Sequence, residues 1–323
     1  MGGAPGGGRL RAWLEVLRAP LLLSPVADVL AGWAFAAGTA GRVHWIGSAP
    51  MQATPRDLVL AVVAGVCLLA AGMAQNAVVD LEDDRLRKPQ RPLARGALGK
   101  APVACVAAAL WLIALAAAAA VTRGLLVTAT LIVVGTNAYH LALKRWRVPG
   151  CLLLGLLRGL DLRLGVLVVV PTVDAGRALS GLVDSPFADA TWWYAAYAFA
   201  AALFASTDDE PEDSRRGLAS SPLVAQILLA LGIGLALARL RHAQPWVAVA
   251  VSAALLSWAL VRIRAATALG SQRLSGAMLS NFYLVTGAIA AGTGPWPGGL
   301  LVAALAVLLL LASRQLMRIV PPT

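Results

Sequence analysis

Runs of about twenty residues without a single charge recur along this chain, and no other feature constrains its fold as much. Residues 58–79, 101–122, 124–143, 190–207, 217–238 and 242–261 are all uncharged. Each matches the roughly 17 to 25 residues that a helix needs to cross the hydrocarbon core of a bilayer. Two further stretches fit with few charges: 21–41, where only Asp28 is charged, and 148–173, which holds Arg158, Asp161 and Arg163. The uncharged run 274–313 is too long for one crossing and breaks at the Gly-Pro-rich segment 292–299. The expected fold is all-α: a polytopic transmembrane helical bundle of nine spans, with a tenth at the C-terminus. A lipid bilayer is its expected surrounding.

Composition agrees, since 59% of residues are hydrophobic and only 13% charged, where a soluble domain carries about 25% charged. The net charge of +11 reads as topology. With the N-terminus inside, 19 of the 27 Lys and Arg fall on the cytoplasmic side and 6 outside, the bias expected of a multi-pass protein of the cell (inner) membrane. Nucleic acid is not an expected partner. The glycine-rich start, residues 1–17, reads as a flexible cytoplasmic tail. The first apolar run continues into a multi-span pattern, unlike a cleavable signal peptide. Cys67, Cys105 and Cys151 fall in or beside apolar spans and read as small packing residues.

More than half of the 16 acidic residues gather in two patches: Asp80, Glu82, Asp83 and Asp84, and Asp208, Asp209, Glu210, Glu212 and Asp213. Both follow even-numbered spans, the second and the sixth, and so share the cytoplasmic side. Asn76, Asp80 and Asp84 are spaced by four, as are Asp209 and Asp213, which stacks each set on one helix face. Stacked carboxylates at helix C-termini repel one another and the macrodipole, so something positive is expected between them. Mg²⁺, held by one or two carboxylates and substrate phosphates, meets that need. Arg91, Arg95, Lys144, Arg215 and Arg216 flank the patches, while Arg158 stands inside the fifth span beside Asp161 and Arg163. Arg158 pairs with Asp161 or binds an anion; both readings stand on the residues alone. Carboxylates, a hard metal and a basic rim at the mouth of an apolar bundle suit a diphosphate with a long apolar tail.

The segment from Asn76 through Asp80 to Asp84, followed by Arg91-Pro92-Leu93 and Gly96, resembles the first Asp-rich motif of the UbiA superfamily of intramembrane prenyltransferases. Asp209 to Asp213 resembles its second motif, and Tyr139 to Lys144-Arg145 resembles the end of its fourth span. Arg18-Ala19-Pro20 and the Ser280–Tyr283 cluster also fit, so the likeness runs from about Arg18 to Gly292. Within the superfamily, the run from Lys144 to Leu160 is most similar to the EboC-like branch. Two departures stand out: Pro211 interrupts the second motif, so that Asp208 or Glu212 can substitute for Asp209, and the nine-span core does not need the tenth span.

The resemblance implies a Mg²⁺-dependent transferase of alkyl groups other than methyl, with residues 18–293 as the prenyltransferase domain and 294–323 as an extra transmembrane segment and tail. Asn76, Asp80, Asp84, Asp209 and Asp213 would hold Mg²⁺ against a polyprenyl diphosphate donor. Asp80, Asp84, Asp209 and Asp213 would be catalytic, and Asn76, Arg91, Tyr139, Lys144 and Arg158 would bind substrate. The acceptor would be a small hydrophobic or aromatic molecule. The competing expectation, drawn from Pro211 and the tenth span, is a non-catalytic isoprenoid-lipid carrier on the same fold. An ion-coupled transporter would place its carboxylates nearer mid-membrane.

Overall fold

A computed structural model describes residues 5–40, 54–170, 180, 188–206, 221–238, 246–267, 269–293 and 297–320. Among these there is no β-strand. A first helix, α1 (Pro5–Val16), and a 3₁₀ turn (Ala19–Leu22) lead into α2 (Leu23–Ala40) and α3 (Pro55–Val79). Then come the short α4 (Leu81–Arg87), α5 (Lys100–Ala119), α6 (Arg123–Leu141), α7 (Arg147–Val169) and α8 (Ala188–Ala205). The chain continues as α9 (Ser221–Ala238), α10 (Trp246–Thr267), α11 (Ser271–Ser280), α12 (Phe282–Thr293) and α13 (Gly298–Ile319).

Every expected span is represented by helix, and among the described residues seven segments are long and apolar enough to cross a membrane on their own. Two of the other three, α7 and α8, fall short for readable reasons. Helix α7 carries Arg158, Asp161 and Arg163, and buries the last two. Helix α8 is diluted by Trp192, Trp193, Tyr194 and Tyr197, the two tyrosines fully buried. The ninth span is among the seven, although Asn281 divides it into α11 and α12. Its side chain repairs the break by accepting from Arg262 at 2.7 Å and donating to the Ala259 carbonyl at 2.9 Å.

The glycine-rich start is helical from Pro5, where the sequence suggests a loose tail. Its apolar face explains this: Ala12 and Val16, with Trp13 and Leu17 beside them, pack against Leu81, Leu93 and Leu98. At the other end α13 is built into the bundle against α2 and α12, and Ser313 donates to the Pro20 carbonyl at 2.9 Å.

Helices α2 and α7 stand between two apolar clusters. Val29, Leu157 and Leu164 face Leu68, Leu125 and Ile132, while Phe35, Leu162 and Val166 face Tyr194, Leu229 and Leu284. The two helices touch backbone to backbone. A Cβ on Gly165 would lie 1.9 Å from the Val29 carbonyl oxygen, and one on Gly32 would lie 1.9 Å from that of Leu162. Such small-residue contacts hold membrane helices together where apolar faces alone gain nothing over lipid. Gly165→Ala therefore has to push α2 away, at a cost of about 1–3 kcal/mol. It is expected to lower the midpoint of heat-induced loss of monodisperse protein in detergent. Gly234→Ala, where an added Cβ meets open space, should leave that midpoint unchanged or slightly raised.

Candidate functional site

Helix α3 ends where the first acidic patch begins. Asp80 caps it with its N–H on the Asn76 carbonyl at 2.9 Å, and α4 restarts at once, with Asp84 N–H on the Asp80 carbonyl at 2.8 Å. The four-residue stagger of Asn76, Asp80 and Asp84 thus survives the junction. Lys144 arrives from the 3₁₀ turn Leu143–Arg145 after α6. Its ammonium donates to Asn76 Oδ1 at 3.0 Å and to Asp80 Oδ2. Two oxygens from successive turns of one helix therefore converge on a single cation, at the negative end of the α3 dipole.

Asp84 takes a different partner. Arg91 Nη1 donates to its two carboxylate oxygens at 2.7 and 2.9 Å, and both side chains are largely buried. The turn from Arg91 to Gly96 makes this reach possible. Its residues close on themselves by Arg95 N–H to the Arg91 carbonyl and Ala97 N–H to the Pro92 carbonyl. Gly96 sits at φ 75°, a conformation open to glycine at little cost. Arg95 then bridges to Glu15 of α1 at 2.8 Å, and Glu15 also holds Arg11 at 3.0 Å.

Arg18 stands on the same rim at φ 48°, a left-handed backbone seldom seen outside glycine and often found at functional sites. Burial lowers its pKa, and the neighbouring Arg91 lowers it further, while Asp84 and Asp80 pull the other way. The guanidinium is therefore held close to other positive charge in a site that would welcome an anion.

From this rim a cavity of about 1,310 Å³ runs into the bundle. Asn76, Asp80 and Lys144 lie at its edge, Tyr139 is on its wall, and Leu68, Met73, Ile132 and Leu154 line its apolar depth. Helix α13 closes part of it with Ser313, Arg314 and Met317.

Of the residues singled out from the sequence, Asn76, Asp80 and Lys144 form one set, and Asp84 with Arg91 form a second beside it. Arg158 lines the same cavity but is paired elsewhere. It contacts Asp28 at 3.0 Å and Asp161 at 3.4 Å, and its guanidinium lies 4.7 Å from the Phe282 ring centroid. Asp209 and Asp213, with Asp208, Pro211 and Glu212, lie outside the described residues. Among the described residues no group of three His, Cys, Asp or Glu side chains converges on a metal position. Asn76 and Asp80 supply one amide and one carboxylate oxygen to a common cation, which fits a metal completed by water and phosphate oxygens. The sequence reading missed Arg18, Asp28 and Arg262 as cavity or cluster residues. Arg18 carried a signal in Arg18-Ala19-Pro20, while Asp28 carried one only as the lone charge of the first span.

The family model described as the UbiA prenyltransferase family matches residues 29–269. Among solved structures, the chain is similar to a UbiA homolog from Archaeoglobus fulgidus bound to GPP and Mg²⁺, with TM-score 0.59 and 15% identity, over 94% of this chain and 99% of that one. It is also similar to the apo structure of a UbiA homolog from Aeropyrum pernix K1, with TM-score 0.58 and 21% identity, over 85% and 97%. A structure from work on digeranylgeranylglyceryl phosphate synthase in membranes matches with TM-score 0.55 and 16% identity, over 88% and 99%. Identities this low speak for the fold alone. No curated protein matches the chain.

The Asp84–Arg91 pair gives a direct test of the rim. Arg91→Ala strands a buried carboxylate and is expected to cost about 3 kcal/mol, whereas Arg91→Met combined with Asp84→Leu should recover most of the loss. Equilibrium unfolding in mixed denaturing micelles measures both. A loss in the double variant equal to the sum of the losses in Arg91→Met and Asp84→Leu alone would show that the two side chains are uncoupled.

Proposed function

The chain belongs to the UbiA prenyltransferase family, and on that premise we propose that it moves a prenyl group from an allylic diphosphate to an acceptor within the membrane. The observation that carries this reading is the convergence of Asn76 Oδ1 and Asp80 Oδ2 on one cation position at the mouth of a long apolar cavity. The diphosphate would sit at the rim and the prenyl tail among Leu68, Met73, Ile132 and Leu154.

In this reading Asn76 and Asp80, with Asp84 and the second patch at Asp209 and Asp213, hold Mg²⁺. When bound, the metal neutralises diphosphate charge and eases its departure. The chain's own groups do the rest. Lys144 leaves Asp80 for a diphosphate oxygen, and Arg18 and Arg91 stabilise the charge that grows there as the bond breaks. Tyr139 donates to the same group. The electron pair of the C1–O bond leaves with the diphosphate, a nucleophilic atom of the acceptor bonds to C1, and the acceptor gives up a proton. The apolar walls keep water from the allylic cation. Arg158, held by Asp28 and Asp161, belongs to the deeper part of the cavity and not to the rim. The positive-inside bias supports a cytoplasmic position for the rim in the cell membrane.

The relative from Archaeoglobus fulgidus bound to GPP and Mg²⁺, and another bound to DMAPP and Mg²⁺, support this choice of donor and metal. Equilibrium binding of labelled geranylgeranyl diphosphate to the purified protein tests it. Binding should need Mg²⁺ and fall at least tenfold in Asp80→Ala and in Lys144→Met. Diphosphate should also be released slowly in the presence of metal. Equal binding without Mg²⁺ and in both variants would sink the reading, and tight binding with no release under any acceptor would favour a lipid carrier.

A further inference from the structure

At the wall of the same cavity, on other helices, lies a polar group that the chemistry above does not use. Asp28 comes from α2, Arg158 and Asp161 from α7, and Tyr194 from α8. Arg158 is midway along α7, about 17 Å from its start at 1.5 Å per residue, so the group is at spanning depth. Asp28 and Tyr194 are 0% exposed and Asp161 is 5% exposed. Tyr194 donates to Asp28 Oδ1 at 2.6 Å. Arg158 Nη1 reaches Asp28 Oδ2 at 3.0 Å and Asp161 Oδ2 at the looser 3.4 Å.

Two features set this group apart from a structural ion pair. It joins one guanidinium to two carboxylates, and ionisable groups at this depth are rare and costly unless they serve a site. A pair kept for stability alone would do as well or better as apolar side chains. It also retains one donor, Arg158 Nε, without a hydrogen-bond partner among the described residues. Arg158, Asp161, Phe282 and Tyr283 form the cavity wall at this point, while Asp28 and Tyr194 stand behind them.

We propose that this group recognises the prenyl acceptor, and that it selects a neutral hydroxyl, an alcohol or phenol, over an acceptor that presents a carboxylate or phosphate. The inference rests on the transferase reading and names the acceptor class of that site. A hydroxyl donates one hydrogen bond and accepts another, so it satisfies a carboxylate and an N–H together. An anion only accepts, and would meet the excess carboxylate here. Arg158 cannot offset that repulsion, because its charge is already shared by Asp28 and Asp161 and stacked on Phe282. Asp161 is the specificity-determining residue. It reaches the cavity, and its contact with Arg158 is the longer and more readily exchanged of the two.

The test uses the full chain in lipid nanodiscs at pH 8, with 4-butylphenol and 4-butylbenzoate as matched probes and bound geranylgeranyl diphosphate with Mg²⁺ as a separate readout. The phenol is expected to bind at least tenfold more tightly than the benzoate. In Asp161→Asn the gap should shrink below threefold, while donor binding stays as in the wild type. The wild-type comparison alone decides the matter if the variant does not fold. Benzoate binding as tightly as phenol, no saturable binding of either, or an unchanged gap in Asp161→Asn overturns the assignment. Donor binding with Mg²⁺ but no phenol preference rejects this site and leaves the transferase reading standing. A phenol preference with no donor binding rejects the transferase reading instead.

Discussion

A charge carried into an apolar bundle is tolerated only where another part of the chain brings it a partner, and this requirement organises the molecule. Asp28 on α2 is met by Arg158 on α7 and Tyr194 on α8. Asp80, at the end of α3, is met by Lys144 from beyond α6. Asp84 is met by Arg91, and Glu15 on α1 by Arg95 from the turn after α4. In a bilayer, apolar helix faces gain little by leaving lipid for one another. Polar ties of this kind therefore help set which helices are neighbours and how they are rotated.

Close backbone contact supplies the rest. Gly32 and Gly165 let α2 and α7 touch, and Gly155 and Gly159 bring α7 against α8, where an added Cβ would come within 2.6 Å of the Ala195 carbonyl and 3.1 Å of that of Thr191. These glycines bracket Arg158 and Asp161 on α7. The packing that closes the three helices together is thus also what places Asp28, Arg158 and Tyr194 within reach of one another. Where larger side chains hold the helices apart, the cavity remains, with charge at its mouth and apolar side chains along most of its depth.

Much of this was legible in the chain. Charge-free runs announce spans because a helix in lipid must satisfy its backbone internally, and the ten expected spans appear as helices. The spacing of Asn76, Asp80 and Asp84 announces a shared face, and Lys144 after the fourth span reaches the first two of them. The capture of Asp84 by Arg91 was not legible, because it depends on a turn around Gly96. Nor was the helical start: its glycines favour disorder locally, and only the apolar surface of Leu81, Leu93 and Leu98 gives Ala12 and Val16 something to cover. The division of the ninth span at Asn281 depends likewise on Arg262 and the Ala259 carbonyl of a neighbouring helix.

The sequence by itself determined the helices, the membrane as their solvent, the family, and the grouping of acidic and basic side chains near helix ends. The family follows from the resemblance of the motifs around Asp80 and Lys144, and the rest from local composition and periodicity. Tertiary structure alone decided which charge meets which. Asp28, read as a lone charge in the first span, turns out to be the partner of Arg158. The reason is physical: a buried ion pair is made by two helices approaching at one depth, and no local pattern in either helix records the depth or rotation of the other.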